Sequence, residues 1–175
     1  MNSREVELLN ESDRGCVLVG AAMLEQSLEG LFQHVFKNNE IPKKVQSSLF
    51  DFNGALSNFS SKIKLAYSLG FISKRLYEDL ETVRKIRNGF AHSTKRVDFT
   101  TSPVAAEIEA MHCIQQFRGK MKRYSISKTM DSKDTPDEVI YRVAGYVKYA
   151  KSLFCLGVSQ LEIDLLKATP IVIKK

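Results

Sequence analysis

Apolar residues recur at three- and four-residue steps over most of this chain. Between Asp13 and Lys37 the positions Val17, Ala21, Leu24, Leu28, Leu31, Phe32 and Val35 keep that rhythm, which at about 100° per residue gathers them on one stripe of a helix. Ser12 or Asp13 is placed to cap its start, and KNNEIPKK, with paired asparagines and Pro42, ends it. A second helix is predicted over Ala55 to Leu69, where Leu56, Phe59, Ile63, Ala66 and Leu69 share a face while Ser60, Lys62 and Lys64 fall largely elsewhere. Gly70 then ends it through a left-handed cap, and Ser73 caps a third helix reaching about Ala91.

The polar, β-branched connector STKRVDFTTSPV follows, then a helix predicted from Pro103 or Val104 to Phe117 and a basic loop near 118–134. Thr135-Pro136-Asp137-Glu138 is the clearest start signal, with a cap residue, proline at the first helical position and a glutamate three after the cap. It opens a long final helix to about Lys167, with Gly145 and Gly157 as places for a bend. Strict alternation, strand punctuation and internal repeats are absent. The pattern predicts an all-α fold, a single-domain bundle of about five helices over residues 1–175, with a core at 11–99 and C-terminal helices at 100–175.

Composition agrees with a folded domain: 43% hydrophobic and 26% charged residues in 175. The longest apolar run, CVLVGAAML, is about half the ~20 residues a bilayer-spanning helix needs. The start, MNSREVELLNESDRG, lacks the pattern of a secretory signal, so no membrane association and a cytoplasmic location are expected. Cys16, Cys113 and Cys155 stand far apart without a CxxC pair, which argues against a disulfide framework or a metal site and for buried apolar roles. No cofactor motif appears. The formal charge of +6 permits a nucleic-acid partner, RNA or DNA, without requiring one.

One position breaks the pattern. On a helical wheel of the third helix, Leu80 and Ala91 fall to one side of Leu76, and Val83 and Phe90 to the other. Arg87 falls between the two sides, inside the apolar stripe. A guanidinium there needs a carboxylate, carbonyls or a phosphate, because burying it alone costs several kcal/mol. The structural explanation is an ion pair with Glu25 or Glu29, which flank the stripe of the first helix. The functional one adds Asn88, Gly89 and His92: Arg87 and Asn88 hold and orient a phosphate, Gly89 admits a close approach, and His92 moves a proton. Together they form a minimal kit for metal-independent RNA cleavage, Arg87 meeting the charge of the pentacoordinate transition state.

The stretches ESDRGCVLVGAAMLEQSLEGLF and FNGALSNFSSKIKLAYSLGFISKRLYEDLETVRKIRNGFAHS, covering roughly Glu11 to Ser93, resemble the mannitol operon repressor family. That resemblance implies an all-helical regulator. The LAYSLGFISKRL junction has a glycine turn, but the helix after it presents an apolar stripe rather than base-reading side chains. Arg87 to His92, RNxxxH, is also similar to the motif of the HEPN superfamily, helical bundles that are often dimeric and many of which are ribonucleases. Carried over, Arg87 and His92 match its catalytic pair and Asn88 its polar neighbour, and a homodimer is implied. Lys95 and Arg96 just past His92, and Arg118, Lys120, Lys122 and Arg123 in the basic loop, are the candidates for nucleic-acid backbone contact. Two readings stay open: a HEPN-like endoribonuclease, and a non-catalytic regulator or interaction module acting through DNA or a protein partner.

Overall fold

The computed structural model describes residues 3–94, 97–100, 102–115 and 136–168. Among them the chain is all-α, with eight helices and no strand: α1 (Ser3–Asn10), α2 (Asp13–Asn38), α3 (Lys43–Phe50), α4 (Phe59–Ser68), α5 (Lys74–His92), α6 (Ser102–Ala110), α7 (His112–Gln115) and α8 (Pro136–Lys167). The sequence pattern predicts about five. The additional ones are short: α1 and α3 have eight residues each, and the helix expected over 103–117 breaks at Met111 into α6 and α7. Elements of about two turns carry too few apolar positions to show a helical period.

Local chemistry sets the main boundaries. The Ser12 hydroxyl accepts from Gly15 N–H at 3.0 Å, Asn58 Oδ1 from Ser61 N–H at 3.0 Å and the Ser73 hydroxyl from Leu76 N–H at 3.3 Å. Each satisfies an amide that a helix start leaves without a partner. Gly70, at φ 70°, supplies the left-handed residue that turns the chain after α4. α8 begins at Pro136, where proline's missing N–H costs nothing, and runs to Lys167.

The long helix α2 is the axis of the bundle. It packs most extensively on α8 and then on α5, with α4 and α1 completing its surroundings, while α6 and α7 bind to α8 and α5. Leu24, Leu28, Leu80, Val83, Val158 and Leu161 are fully buried at this centre; each stabilises the fold by about 1.5–3 kcal/mol through removal from water. Among the described helices α2 alone is long and apolar enough, by length and composition, to cross a bilayer. Its apolar residues are here the interior of the bundle, which accounts for that composition. Phe90, Phe99 and Phe154 form a ladder with centroids 5.8 and 5.6 Å apart, tying the end of α5 and the connector beyond it to α8.

Candidate functional site

The end of α5 is held against the start of α2. Arg14 Nη2 donates to the Ser93 carbonyl at 2.9 Å, the Phe99 N–H donates to Asp13 Oδ2 at 3.3 Å, and Asp13 Oδ1 lies 3.7 Å from Lys151 Nζ on α8. Arg87, Asn88 and His92 therefore sit on a fixed helix end. Arg87 is half-buried, and its guanidinium donates to Asn88 Oδ1 at 3.1 Å. His92 is exposed, and five residues of helix place it about 140° around the axis from Arg87. Gly89 faces open space, with nothing within 4 Å of where a Cβ would stand. Within one chain the arginine and the imidazole thus start from different sides of the helix. Lys95, Arg96, Arg118, Lys120, Lys122 and Arg123 lie outside the described residues.

Glu25 and Glu29 do form an ion pair, with a different cation from the one the pattern offers. Lys62 Nζ lies 3.0 Å from Glu25 Oε1 and 3.3 Å from Glu29 Oε2, and 5.9 Å from the centroid of the Phe50 ring. Lys62 is 5% exposed, whereas the pattern puts it largely off the apolar face. The spacing contains the signal: Phe59, Lys62, Ile63 and Ala66 fall at i, i+3, i+4 and i+7, so Lys62 belongs to the stripe.

Asp79 escapes sequence reasoning in the same way. It is the i+3 member of Leu76, Asp79, Leu80 and Val83, and it is 3% exposed. Its two oxygens accept from the N–H groups of His112 and Cys113 at 2.7 and 2.8 Å, so a side chain of α5 caps α7. His112 Nε2 in turn lies 2.8 Å from Glu78 Oε2. The buried face of α5 is Leu76, Asp79, Leu80, Val83, Ile86 and Phe90. Its centre is displaced toward Ile86, which leaves Arg87 on the flank and Ala91 exposed.

Besides a cleft of about 650 Å³ beside Gln33, Lys37, Glu40, Lys43 and Phe50, two more stand apart from the end of α5. One, of about 410 Å³, lies between the start of α5, α7 and the end of α8, beside Ser73, Arg75, Asp79, His112, Asp164 and Lys167. Much of its polar lining is internally matched: Asp79 caps α7, His112 meets Glu78, and Asp164 Oδ1 accepts from Gln160 Nε2 at 2.9 Å. This is the chemistry of a helix junction. The other cleft, of about 660 Å³, is almost wholly apolar and opens between α2, α3 and α4. Three buried thiols complete the inventory. Cys16 Sγ and Cys155 Sγ are 3.5 Å apart, and their mutual hydrogen bond together with burial pushes the Cys16 thiol far up; burial, then Asp79, pushes Cys113 up. Such thiols are poor nucleophiles. Among the described residues no group of histidine, cysteine and acidic side chains is arranged to hold a metal.

Against known proteins, the family model for the mannitol repressor, MtlR, matches residues 2–165. The mannitol operon repressors of Escherichia coli strains K12 and O6:H1 (CFT073) are each 27% identical over 115 residues. That alignment takes in 64% of this chain and 59% of theirs. The X-ray structure of the MtlR–HPr complex from Escherichia coli contains a chain of the same fold, with a TM-score of 0.70 and 20% identity. The match covers 94% of this chain and 99% of that one. With nearly its whole length matched by the family model, this protein belongs to the mannitol repressor family.

Proposed function

We propose that this chain is a non-catalytic, cytoplasmic regulator of the mannitol-repressor type that works through a protein partner, and that an HPr-type protein is that partner. The observation that carries the reading is the likeness over almost all of both chains to the MtlR chain solved in complex with HPr. The family match over residues 2–165 supports the regulatory role. The geometry at the end of α5 supports the absence of catalysis, since Arg87 is engaged by Asn88 and His92 starts from a different side of the helix.

The ribonuclease reading, with Arg87 stabilising charge, Asn88 orienting the phosphate and His92 as acid or base, needs a second copy of the chain to bring the groups together. Its only support is the RNxxxH spacing, and two parallel titrations separate it from the regulator. Purified protein is titrated with HPr from the same host, and is incubated with structured RNA in EDTA beside Arg87→Ala and His92→Ala. Saturable HPr binding with RNA left intact by all three proteins is the expected result. Cleavage by the parent alone, leaving 2′,3′-cyclic phosphate ends, overturns the non-catalytic reading, and failure to bind HPr overturns the choice of partner.

A further inference from the structure

Two of the three cysteines meet, although 139 positions separate them in sequence. Cys16 lies near the start of α2 and Cys155 in the second half of α8, both fully buried, with their sulfurs 3.5 Å apart. The two helices set that distance. Gly20, one turn beyond Cys16, has no side chain to hold off Phe154, the neighbour of Cys155, and a Cβ there would stand only 3.0 Å from its ring. One turn before the cysteines, Asp13 Oδ1 lies 3.7 Å from Lys151 Nζ, and that ammonium also donates to the Glu11 carbonyl. The pair is therefore bracketed on both sides by contacts that fix α2 against α8. A disulfide holds its sulfurs about 2.0 Å apart, so about 1.5 Å of closure remains, which rotation of the two side chains about their Cα–Cβ bonds can supply.

While the seam is closed the pair is protected. The hydrogen bond to Cys155 and burial push the Cys16 thiol far up, with Lys151 pulling the other way, and a neutral thiol is slow to react. The weak point is α1. It has eight residues, packs on both α2 and α8, and among the described residues Leu8 is its one fully buried side chain. An element with so little buried surface opens locally at a fraction of the free energy of global unfolding. Opening there admits water beside Cys16 and the Lys151 ammonium, and a nearby cation favours the thiolate.

We propose that Cys16 and Cys155 form an oxidant-operated latch: a small peroxide, admitted when α1 opens too narrowly for a bulky aromatic reagent, converts them to a disulfide that staples α2 to α8, and a thiol reductant releases it. The Cys16 thiolate attacks one peroxide oxygen, the O–O bond breaks and hydroxide leaves, so that Cys16 carries a sulfenic acid. The Cys155 sulfur then attacks the Cys16 sulfur, the S–O bond breaks, and the departing oxygen takes the Cys155 proton to leave as water. Two thiol hydrogens and two electrons pass to the peroxide, which is reduced to two waters. Reduced, the seam is held by packing alone. Oxidised, it is closed by a covalent link between residues 139 positions apart, which removes much of the freedom of the unfolded chain. A reversible disulfide of this kind is the sort that serves as a sensor in a reducing compartment, and it operates whatever partner the chain binds.

The test treats the full chain, reduced and then freed of reductant, with hydrogen peroxide in the absence of denaturant. The expected product is a monomer lighter by two hydrogens that runs faster than the reduced chain on a non-reducing denaturing gel and yields one cross-linked peptide joining Cys16 to Cys155. Its melting midpoint should rise by at least about 5 °C and return when dithiothreitol is added. Cys113→Ala keeps the cross-link, Cys16→Ala and Cys155→Ala each abolish it, and Leu8→Ala, which loosens α1, speeds its formation several-fold. No cross-link, a cross-link that includes Cys113, or an oxidised melt no higher than the reduced one overturns the proposal. So does oxidation that begins only at urea concentrations that unfold the whole chain, or a rate indifferent to Leu8→Ala.

Discussion

Near its N-terminal half, α2 touches α8 so closely that a Cβ on Gly20 would stand 3.0 Å from Phe154 and 3.1 Å from Val158. At its other end the same helix turns Phe36 toward a cleft of about 660 Å³ bounded by α3 and α4. Both regions are aliphatic and aromatic, and the difference lies in what faces them. The seam has the long α8 laid against it, and even a methyl at the crossing would press Phe154 and Val158 back by a few tenths of an ångström. The corner has α3, eight residues long, begun on Pro42 without a side-chain cap and with none of its residues fully buried. Apolar composition therefore means cohesion in one place and unfilled surface in the other, and exposed apolar surface of that kind is where soluble proteins meet partners.

The largest expected effect tests the seam. Phe154 is 1% exposed and is the last member of the aromatic ladder, so Phe154→Ala leaves a large void and should cost about 3–5 kcal/mol in chemical denaturation. Gly20→Val overpacks the same crossing and should cost about 1–3 kcal/mol. If either were silent, the seam would be as yielding as the corner and the contrast would fail.

Lys62 comes next, because it lies on the boundary between the two regions, buried against Glu25 and Glu29 and facing the Phe50 ring of α3. Removing both carboxylates, as Glu25→Gln with Glu29→Gln, leaves an ammonium buried without a counter-charge. The expected loss is about 1–3 kcal/mol, held to that range because the two glutamates are partly exposed. Lys62→Met removes charge and need together and should be close to neutral. A large loss in Lys62→Met would mean that the ion pair itself stabilises this corner.

The thiols give a smaller, pH-dependent effect. Cys16 and Cys113 are both raised above the ordinary thiol value of 9.0, Cys16 by its hydrogen bond to Cys155 and burial, Cys113 by burial and Asp79. The folded protein thus holds these protons more tightly than the unfolded chain. The resulting stability is fully present below about pH 9 and declines as pH rises beyond it. Melting points should fall between pH 8 and pH 10, and Cys16→Ala with Cys113→Ala should flatten that fall. At pH 8 an aromatic disulfide reagent should label the native protein no faster than it unfolds.

Much of this architecture was legible in the sequence because long helices repeat their signal. The caps at Ser12 and Ser73, the left-handed Gly70 and the start at Pro136 appear where the pattern placed them. The candidate site was harder, for a geometric reason. A 100° wheel assigns a face to within about half a residue step, and Lys62, Asp79 and Arg87 all stand at i+3 or i+4 of an apolar run. The two at i+3 are buried, and Arg87, at i+4 beside Ile86, is only half-buried. Which flank of a stripe is covered depends on the helix laid across it, information that lies in α2 and α7 and not in the run itself. The apolar cleft was invisible for the same reason: Leu69 read as an ordinary core position and Leu65 lay outside the stripe the pattern gives, and only the shortness of α3 leaves them uncovered.

The smallest expected effect sharpens the corner. Val45→Leu adds one methylene at a side chain that is 47% exposed and borders open volume, so it has neither a void to create nor a neighbour to displace. In the seam an added methylene costs about 1–3 kcal/mol through displaced side chains; here the change in stability should stay within about 0.5 kcal/mol, the range of ordinary surface substitutions. A near-zero result by urea denaturation, beside a clear loss for Gly20→Val, would show that the hollow under α3 tolerates a larger side chain without strain. A loss above about 1 kcal/mol would instead mean that α3 is seated on α4 as firmly as α8 is on α2, and the corner would then be no looser than the seam.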